Sequence, residues 1–319
     1  MTQIYRRRAI GGIKMKNGQC WLDDKGNLIQ AHGGMITQFN GKWYWFGENK
    51  DADNVRVGEK QLARVDVVGV SCYTSDDLHT WHYEGLALSA DKNADPSSPL
   101  HPGRVMERPK VIYSQKTGKY VMWFHADSAD YTFAHAGCAV ADKPEGPYEF
   151  VGAFLPPERR DVRDMTLYTD PQDGRAYLIH SGDWNKTLYF SELSEERTGF
   201  TGVVYAHLPN QEREAPAMYY HDGLYYCVTS GCTGWAANSA LYSTTRRLSS
   251  GMKLIDDPCE GPDARNTYHG QSTYIFEADG QPYLMIDHWK PQDLRHSGYS
   301  ILPIEFDGDR MTVRWTDEF

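Results

Sequence analysis

The 319-residue chain has no run of eighteen apolar residues, so no helix able to cross a membrane is predicted. It has no CxxC pair either: Cys20, Cys72, Cys138, Cys227, Cys232 and Cys259 are scattered, which argues against a structural zinc site. Several of them fall in strand-like segments, where a free thiol packs as a small apolar group. Basic stretches are absent apart from Arg6-Arg7-Arg8, which reads as a solvated terminus. With a net charge of −10, the molecule's field repels nucleic acid and anionic lipid, and neither is expected as a partner. The segment from Ala9 to Lys14 is too short and polar for the core of a signal peptide. The chain is therefore expected to be cytoplasmic, or secreted with its leader removed. Residues 1–15 are expected to be peripheral to a single domain spanning 1–319. Long helical periodicity is also missing.

What the chain does have is a recurring hairpin. A glycine-containing turn precedes a short aromatic strand five times: Asn40-Gly41 before Trp43, Thr117-Gly118 before Tyr120, Asp173-Gly174 before Tyr177, Asp222-Gly223 before Tyr225 and Asp279-Gly280 before Tyr283. Asn-Gly and Asp-Gly tolerate the positive φ that tight hairpin turns need. The turn glycines lie 77, 56, 49 and 57 residues apart. A four-stranded propeller blade takes roughly 40 to 50 residues, so the intervals suit blades with insertions. An all-β, five-bladed β-propeller is predicted. A β-sandwich is the rival architecture, but it does not readily explain five such copies.

At 9, 11, 10, 9 and 9 residues before the five glycines stand His32, Glu107, Asp164, Glu214 and Gln271. In a propeller the first strand of each blade lines the central axis, so equivalent positions converge on one cavity. Each residue alone reads as well as a capped turn or a surface charge. Glu107 and Glu214 are each followed two residues later by proline, and Asp164 is flanked by Arg160 and Arg163. The five-fold coincidence is what singles them out. Carboxylates facing one small cavity perturb one another, so that one stays protonated near neutral pH while another is ionised. Glycoside hydrolysis requires that division of labour. Tyr131, Trp184, Trp235 and Trp289 are candidate platforms for a sugar face, or equally core and rim packing.

The chain resembles glycoside hydrolase family 43, and within it the exo-β-1,3-galactanase-like group. The matching segments run from Trp21-Leu22-Asp23-Asp24 through Tyr44-Trp45-Phe46-Gly47-Glu48, Glu107-Arg108-Pro109-Lys110, Arg163-Asp164, Glu214-Ala215-Pro216 and Thr233-Gly234-Trp235 to Leu302-Pro303-Ile304. The resemblance implies that Glu214 is a general acid and that Asp164 orients it and tunes its pKa. It also implies that Gln271 handles the nucleophilic water and that Glu107 contacts the sugar. His32, Tyr131, Asp183, Trp184, Thr233, Trp235 and Trp289 are the remaining expected substrate contacts. The usual family base, an aspartate on the first inner strand, is missing from Gln30-Ala31-His32-Gly33. An ordinary amide has no proton affinity near pH 7, so Glu107 or His32 is a candidate for the missing basicity. The family inverts configuration, which predicts about 6.5 to 9.5 Å between Glu214 and the water-holding group.

Three departures bear on the substrate. Trp184 stands where related enzymes carry a small polar residue, Asp287-His288-Trp289 replaces a pattern with arginine in the middle, and the charged segment from Asp51 to Asp66 is longer than in relatives. That segment is read as a rim loop or a dimer contact, in a monomer or weak homo-oligomer. No carbohydrate-binding module is expected. The leading expectation is release of terminal galactose from β-1,3-linked galactan or oligosaccharides. A β-galactofuranosidase or α-L-arabinofuranosidase is the near alternative, and a non-catalytic sugar-binding propeller the more distant one. No cofactor is expected. A calcium ion on the axis, faced by His269 or Asp164, is not expected to be essential, since no calcium loop is present.

Overall fold

A computed structural model of the protein describes residues 15–57 and 62–319. The Arg6-Arg7-Arg8 triplet and the rest of 1–14 lie outside the described residues. Five sheets of four or more strands follow one another along the chain, antiparallel except for the short parallel pairing of Cys259–Glu260 with Arg310–Arg314 at the edge of the last. Their first strands, His32–Phe39, Val105–Ser114, Met165–Thr169, Arg213–His221 and Gln271–Ala278, pack side by side in a closed ring. The molecule is thus a five-bladed propeller, with blades I to V numbered from those strands.

Each first strand turns back through one of the five glycine turns. Asn40-Gly41, Asp222-Gly223 and Asp279-Gly280 carry two consecutive positive φ values, as a two-residue turn matched to strand twist requires. At Thr117-Gly118 and Asp173-Gly174 only the glycine does, and the connections there are longer.

Because alternate strand residues face opposite sides of a sheet, every blade feeds two interfaces. Trp45 faces blade V while Tyr44 and Phe46 face blade II; Trp123 faces blade III while Met122 and Phe124 face blade I. Five apolar clusters result, one at each junction between blades. Four of the six cysteines are buried in these clusters and all six are free thiols.

The ring is closed by the start of the described chain. Gly18 donates to the carbonyl of Tyr299, and Tyr299 donates back to that of Gln19, at 2.9 and 3.0 Å. Asn17 accepts from the N–H of Ile301 at 2.9 Å. Met15, expected to be peripheral, is buried in the junction between blades V and I, where Trp21 meets Trp45. No helix among the described residues is long and apolar enough to cross a membrane.

Trp45 anchors that junction. It lies between Trp21, Trp81 and Tyr299, and its indole N–H bonds the carbonyl of Ala31 at 3.1 Å. Trp45→Ala is expected to cost about 3–5 kcal/mol of stability, read as a shift in the urea midpoint. A change below about 1 kcal/mol would mean that this closing junction is not packed as described.

Candidate active site

A cavity of about 200 Å³ opens where the five first strands begin. Four of those strands carry a local irregularity at that end: the register shifts between His32 and Met35, Glu107 and Lys110, Glu214 and Ala217, and Ser272 and Tyr274. In three of them the residue after the polar one has a positive φ, namely Gly33 (57°), Arg108 (55°) and Ala215 (52°). A bulge of this kind re-aims side chains that plain alternation would send to opposite faces. In blade II it turns both Glu107 and Arg108 into the cavity.

Arg108 is the central cation. Its Nη2 lies 2.8 Å from Asp164 Oδ2 and donates to Gln271 Oε1 at 2.6 Å. Its backbone N–H donates to Glu48 Oε1 at 2.9 Å. Burial opposes its charge, but Asp164, Glu48, Asp287 and Glu214 together carry its pKa above the ordinary value. Lys110, two residues deeper on the same strand, donates to the carbonyl of Gly33 at 2.7 Å. Burial, and then Arg108, push its ammonium down to about 7.

Glu214 has the environment of an acid. Burial first, and then the Asp164 carboxylate, raise its pKa to about 8, although Arg108 pulls the other way. Gln271 donates to Glu214 Oε1 at 3.0 Å and to Ser230 Oγ at 2.9 Å. Its carbonyl accepts from Arg108 and, at 3.0 Å, from the indole N–H of Trp289. All four hydrogen-bonding positions of that amide are therefore filled. The distance of 3.0 Å also departs from the 6.5 to 9.5 Å expected across an attacking water. No water fits between two groups in direct contact.

Glu107 is the opposite case. Burial opposes its ionisation, but His125, Lys50 and the Tyr131 hydroxyl outweigh it and hold Glu107 at about 2. Tyr131 donates to Glu107 Oε1 at 2.8 Å, and His125 Nδ1 lies 3.3 Å from Oε2. His125 in turn bonds Asp127 at 2.9 Å; despite its burial, Asp127 and Glu107 raise it to about 9, so it is an imidazolium at neutral pH. Asp127 accepts the N–H groups of Ser128, Phe133 and Ala134, each at 2.8 Å, and so fixes the loop that presents Tyr131.

Glu48, which the search along first strands missed, stands at the end of blade I's second strand, Lys42–Glu48. Its carboxylate fills the space of a side chain on Gly33, whose Cβ would lie 2.2 Å from Glu48 Oε1. A carboxylate thus reaches the cavity at the blade where the inner strand has none. Lys50 pairs with it at 2.5 Å, and burial pushes the pKa of Glu48 up. The glycine at 33 was the available signal for it.

Of the predicted residues, Glu107, Tyr131, Asp164, Glu214, Trp235, Gln271 and Trp289 line the cavity. Four do not. His32 is fully buried behind the wall, with Nδ1 3.3 Å from Asp287, Nε2 3.1 Å from the Tyr299 hydroxyl, and its ring stacked on Tyr299. It is walled off from any substrate water. Asp183 is held by Arg160 and the Tyr189 hydroxyl, outside the cavity. Trp184 is 67% exposed, one face covered by the Arg163 guanidinium at 4.3 Å. Thr233 points into its own turn, bonded to Ala236 and Asn238, while the next two residues, Gly234 and Trp235, form the wall.

Of the two predicted calcium donors, Asp164 is paired with Arg108, and the exposed His269 bonds Asn266. Among the described residues no three His, Cys, Asp or Glu side chains are grouped to hold a metal ion.

The sequence profile of glycosyl hydrolases family 43 matches residues 47–260. No curated protein matches the chain by sequence. Among solved structures, a family 43 β-1,3-galactosidase with galactodeoxynojirimycin is 35% identical, with a TM-score of 0.86, over 96% of this chain and 99% of its own. An exo-β-1,3-galactanase from Phanerochaete chrysosporium, with β-1,3-galactotriose, is 31% identical at a TM-score of 0.86, over 96% of this chain and 68% of its own. Another from Clostridium thermocellum is 30% identical at 0.82, over 96% and 66%.

Gly33→Ala tests how this wall is built. The added methyl would collide with Glu48 Oε1 and sit at an unfavourable positive φ. A loss of about 1–3 kcal/mol in thermal or urea stability is expected. A variant as stable as the parent would show that Glu48 does not occupy that space.

Proposed function

Because the chain belongs to glycosyl hydrolases family 43 and is a glycoside hydrolase, we propose that it is an inverting, exo-acting enzyme that removes terminal galactose from β-1,3-linked galactan or galacto-oligosaccharides. The observation that carries this reading is Glu214, held protonated to about 8 beside Asp164 in a small cavity walled by Tyr131, Trp235 and Trp289. A neutral carboxyl there can donate its proton to the leaving glycosidic oxygen. The solved relatives named for β-1,3-galactosidase and exo-β-1,3-galactanase activity support the sugar and linkage.

In the proposed reaction the Glu214 proton passes to the glycosidic oxygen as its bond to the anomeric carbon breaks. Water attacks that carbon from the opposite face, giving a free sugar of inverted configuration and the shortened chain. Asp164 keeps Glu214 protonated and stabilises positive charge on the ring. Gln271 orients the water only after an arriving sugar has displaced one of its four bonds. As an amide it does not accept the water's proton at neutral pH. Of the wall carboxylates, Glu48, paired with Lys50 and made more basic by burial, suits that task better than Glu107, held at about 2. The cation on the axis is a protein group, Arg108, so turnover is expected to survive a chelator.

The deciding experiment is an NMR time course of product anomers on β-1,3-galactobiose. Initial release of α-galactose is expected. Rapid cleavage of an aryl α-L-arabinofuranoside or β-galactofuranoside, with no product from the disaccharide, would overturn the substrate reading.

Glu214→Gln is expected to lower kcat on galactobiose by about 10²–10⁴ while sparing aryl substrates with good leaving groups. Glu48→Gln is expected to slow both kinds alike, since the base acts on the water in either case. Equal losses for Glu214→Gln on both kinds would remove its role as acid.

Activity should fall as pH rises through about 8, where Glu214 loses its proton. Asp164→Asn removes a charge that raises that pKa and frees Arg108 to lower it further. The alkaline limb of kcat/KM should therefore move to lower pH. A limb that stays in place would mean that Asp164 does not tune the acid.

A further inference from the structure

The rim of the cavity is uneven, and its unevenness has a direction. At the cavity end, the second and third strands of each blade are joined by one connection. These connections are 49–68 in blade I, 128–134 in blade II, 183–186 in blade III, 232–240 in blade IV and 289–297 in blade V. Blade III thus has a four-residue turn where blade I has twenty residues. Within those twenty, Asn54–Val57 and Leu62–Val65 pair as an antiparallel hairpin.

That hairpin is fastened to three other blades. Asn54 donates to the carbonyl of Pro291 at 3.1 Å and accepts the N–H of Leu294 at 3.1 Å, both in blade V. Asp51, just before it, pairs with Arg295 at 2.7 Å. Arg64 donates to the carbonyl of Arg104, ahead of blade II's first strand, at 3.2 Å. Ala63, 3% exposed and part of the cavity wall, accepts the indole N–H of Trp235 from blade IV at 3.0 Å. Trp235 packs edge-on against Trp289, at 5.1 Å between ring centres, and Trp289 bonds Gln271 on the cavity floor. A continuous line of contacts runs from the hairpin backbone to the reacting centre.

We infer that this hairpin, locked through Ala63 to Trp235, is a specificity-determining bar. It blinds the cavity over blades I, V and IV and confines the enzyme to the last sugar of a chain, while the leaving part runs out over the low turn of blade III. The inference rests on the hydrolase reading above and adds to it the cause of exo action. Without the bar, the five first strands would form a funnel open on both sides, into which a chain could be laid across the axis. With it, the far wall leaves room for one ring beside Glu214. In this reading the strands Asn54–Val57 and Leu62–Val65 belong to the rim, one of the two roles the sequence offers for the segment from Asp51 to Asp66.

The test is a variant with residues 54–65 replaced by Gly-Ser-Gly, compared with the parent chain on reduced β-1,3-galactan. Early products are separated by size, and folding is checked by the melting curve. The parent should release monosaccharide alone. The shortened variant should also release oligosaccharides, with the ratio of internal to terminal cleavage raised at least about tenfold. A folded variant that still yields only monosaccharide would overturn the inference. Should the deletion fail to fold, Trp235→Ala opens the same wall and must raise the same ratio; an unchanged ratio overturns the inference equally. If the parent is silent on galactan and cleaves arabinofuranosides, the substrate reading falls by itself. The comparison is then made on arabino-oligosaccharides, where the same shift to internal cleavage is required.

Discussion

Arg108 carries the one guanidinium around which the cavity is organised. From blade II it reaches Asp164 of blade III and Gln271 of blade V, and its backbone N–H takes the carboxylate of Glu48 in blade I. Isolated carboxylates would not stay ionised together in so small a buried space. The cation lets Asp164 hold its place, and the Asp164 charge contributes to keeping Glu214 neutral. Burying such a charge is costly, and the cost is offset only when every partner is in place. The arrangement is thus cooperative: removing Arg108 would leave several acids unpaired at once. Lys110, below it, has already been pushed to about 7 and is a poor substitute.

Position on the axis is obtained through backbone strain. Arg108 and Ala215 adopt positive φ without being glycine, and each directly precedes a proline, which itself disfavours helical conformations in the residue before it. Regular strand geometry would send Glu107 and Arg108 to opposite faces. The bulge spends local stability to put a carboxylate and a guanidinium side by side on one wall. The walls are then held by groups that never meet the sugar. Asp127 gathers three backbone N–H groups and an imidazolium, and that is why Tyr131 and Glu107 arrive in register.

Much of this is legible in the sequence, for identifiable reasons. The five inner hairpins announce themselves because Asn-Gly and Asp-Gly turns are chemically distinctive and the strands after them must be apolar on both faces. The outer strands of blades III and IV, Phe200–His207 and Lys253–Asp256, are largely exposed and carry no such mark. Counting back from the turn glycines finds the cavity end of each first strand, and so finds Glu107, Asp164, Glu214 and Gln271 together. The same counting misplaces His32, because the Gly33 bulge turns that blade's side chain behind the wall and lets Glu48 through from the neighbouring strand. Arg108 escapes it because strand alternation hides a residue next to one already chosen. Asp183, Trp184 and Thr233 sit on rim turns, where side-chain direction depends on three-dimensional neighbours such as Asp161 and Arg163 rather than on spacing.

The bond between Gln271 and Glu214 changes what the missing aspartate means. In an inverting site the acid and the water-holder are separated by the sugar ring and the water. In this cavity Glu214 and Gln271 touch, and the amide is saturated by Arg108, Trp289, Ser230 and Glu214. Glu214 accepts that bond on Oε1 alone, so its other oxygen can carry the acidic proton while the amide stays in place. Trp289 bonds Gln271 and packs against the rim tryptophan Trp235, so the placement of the amide is tied to that of the rim wall.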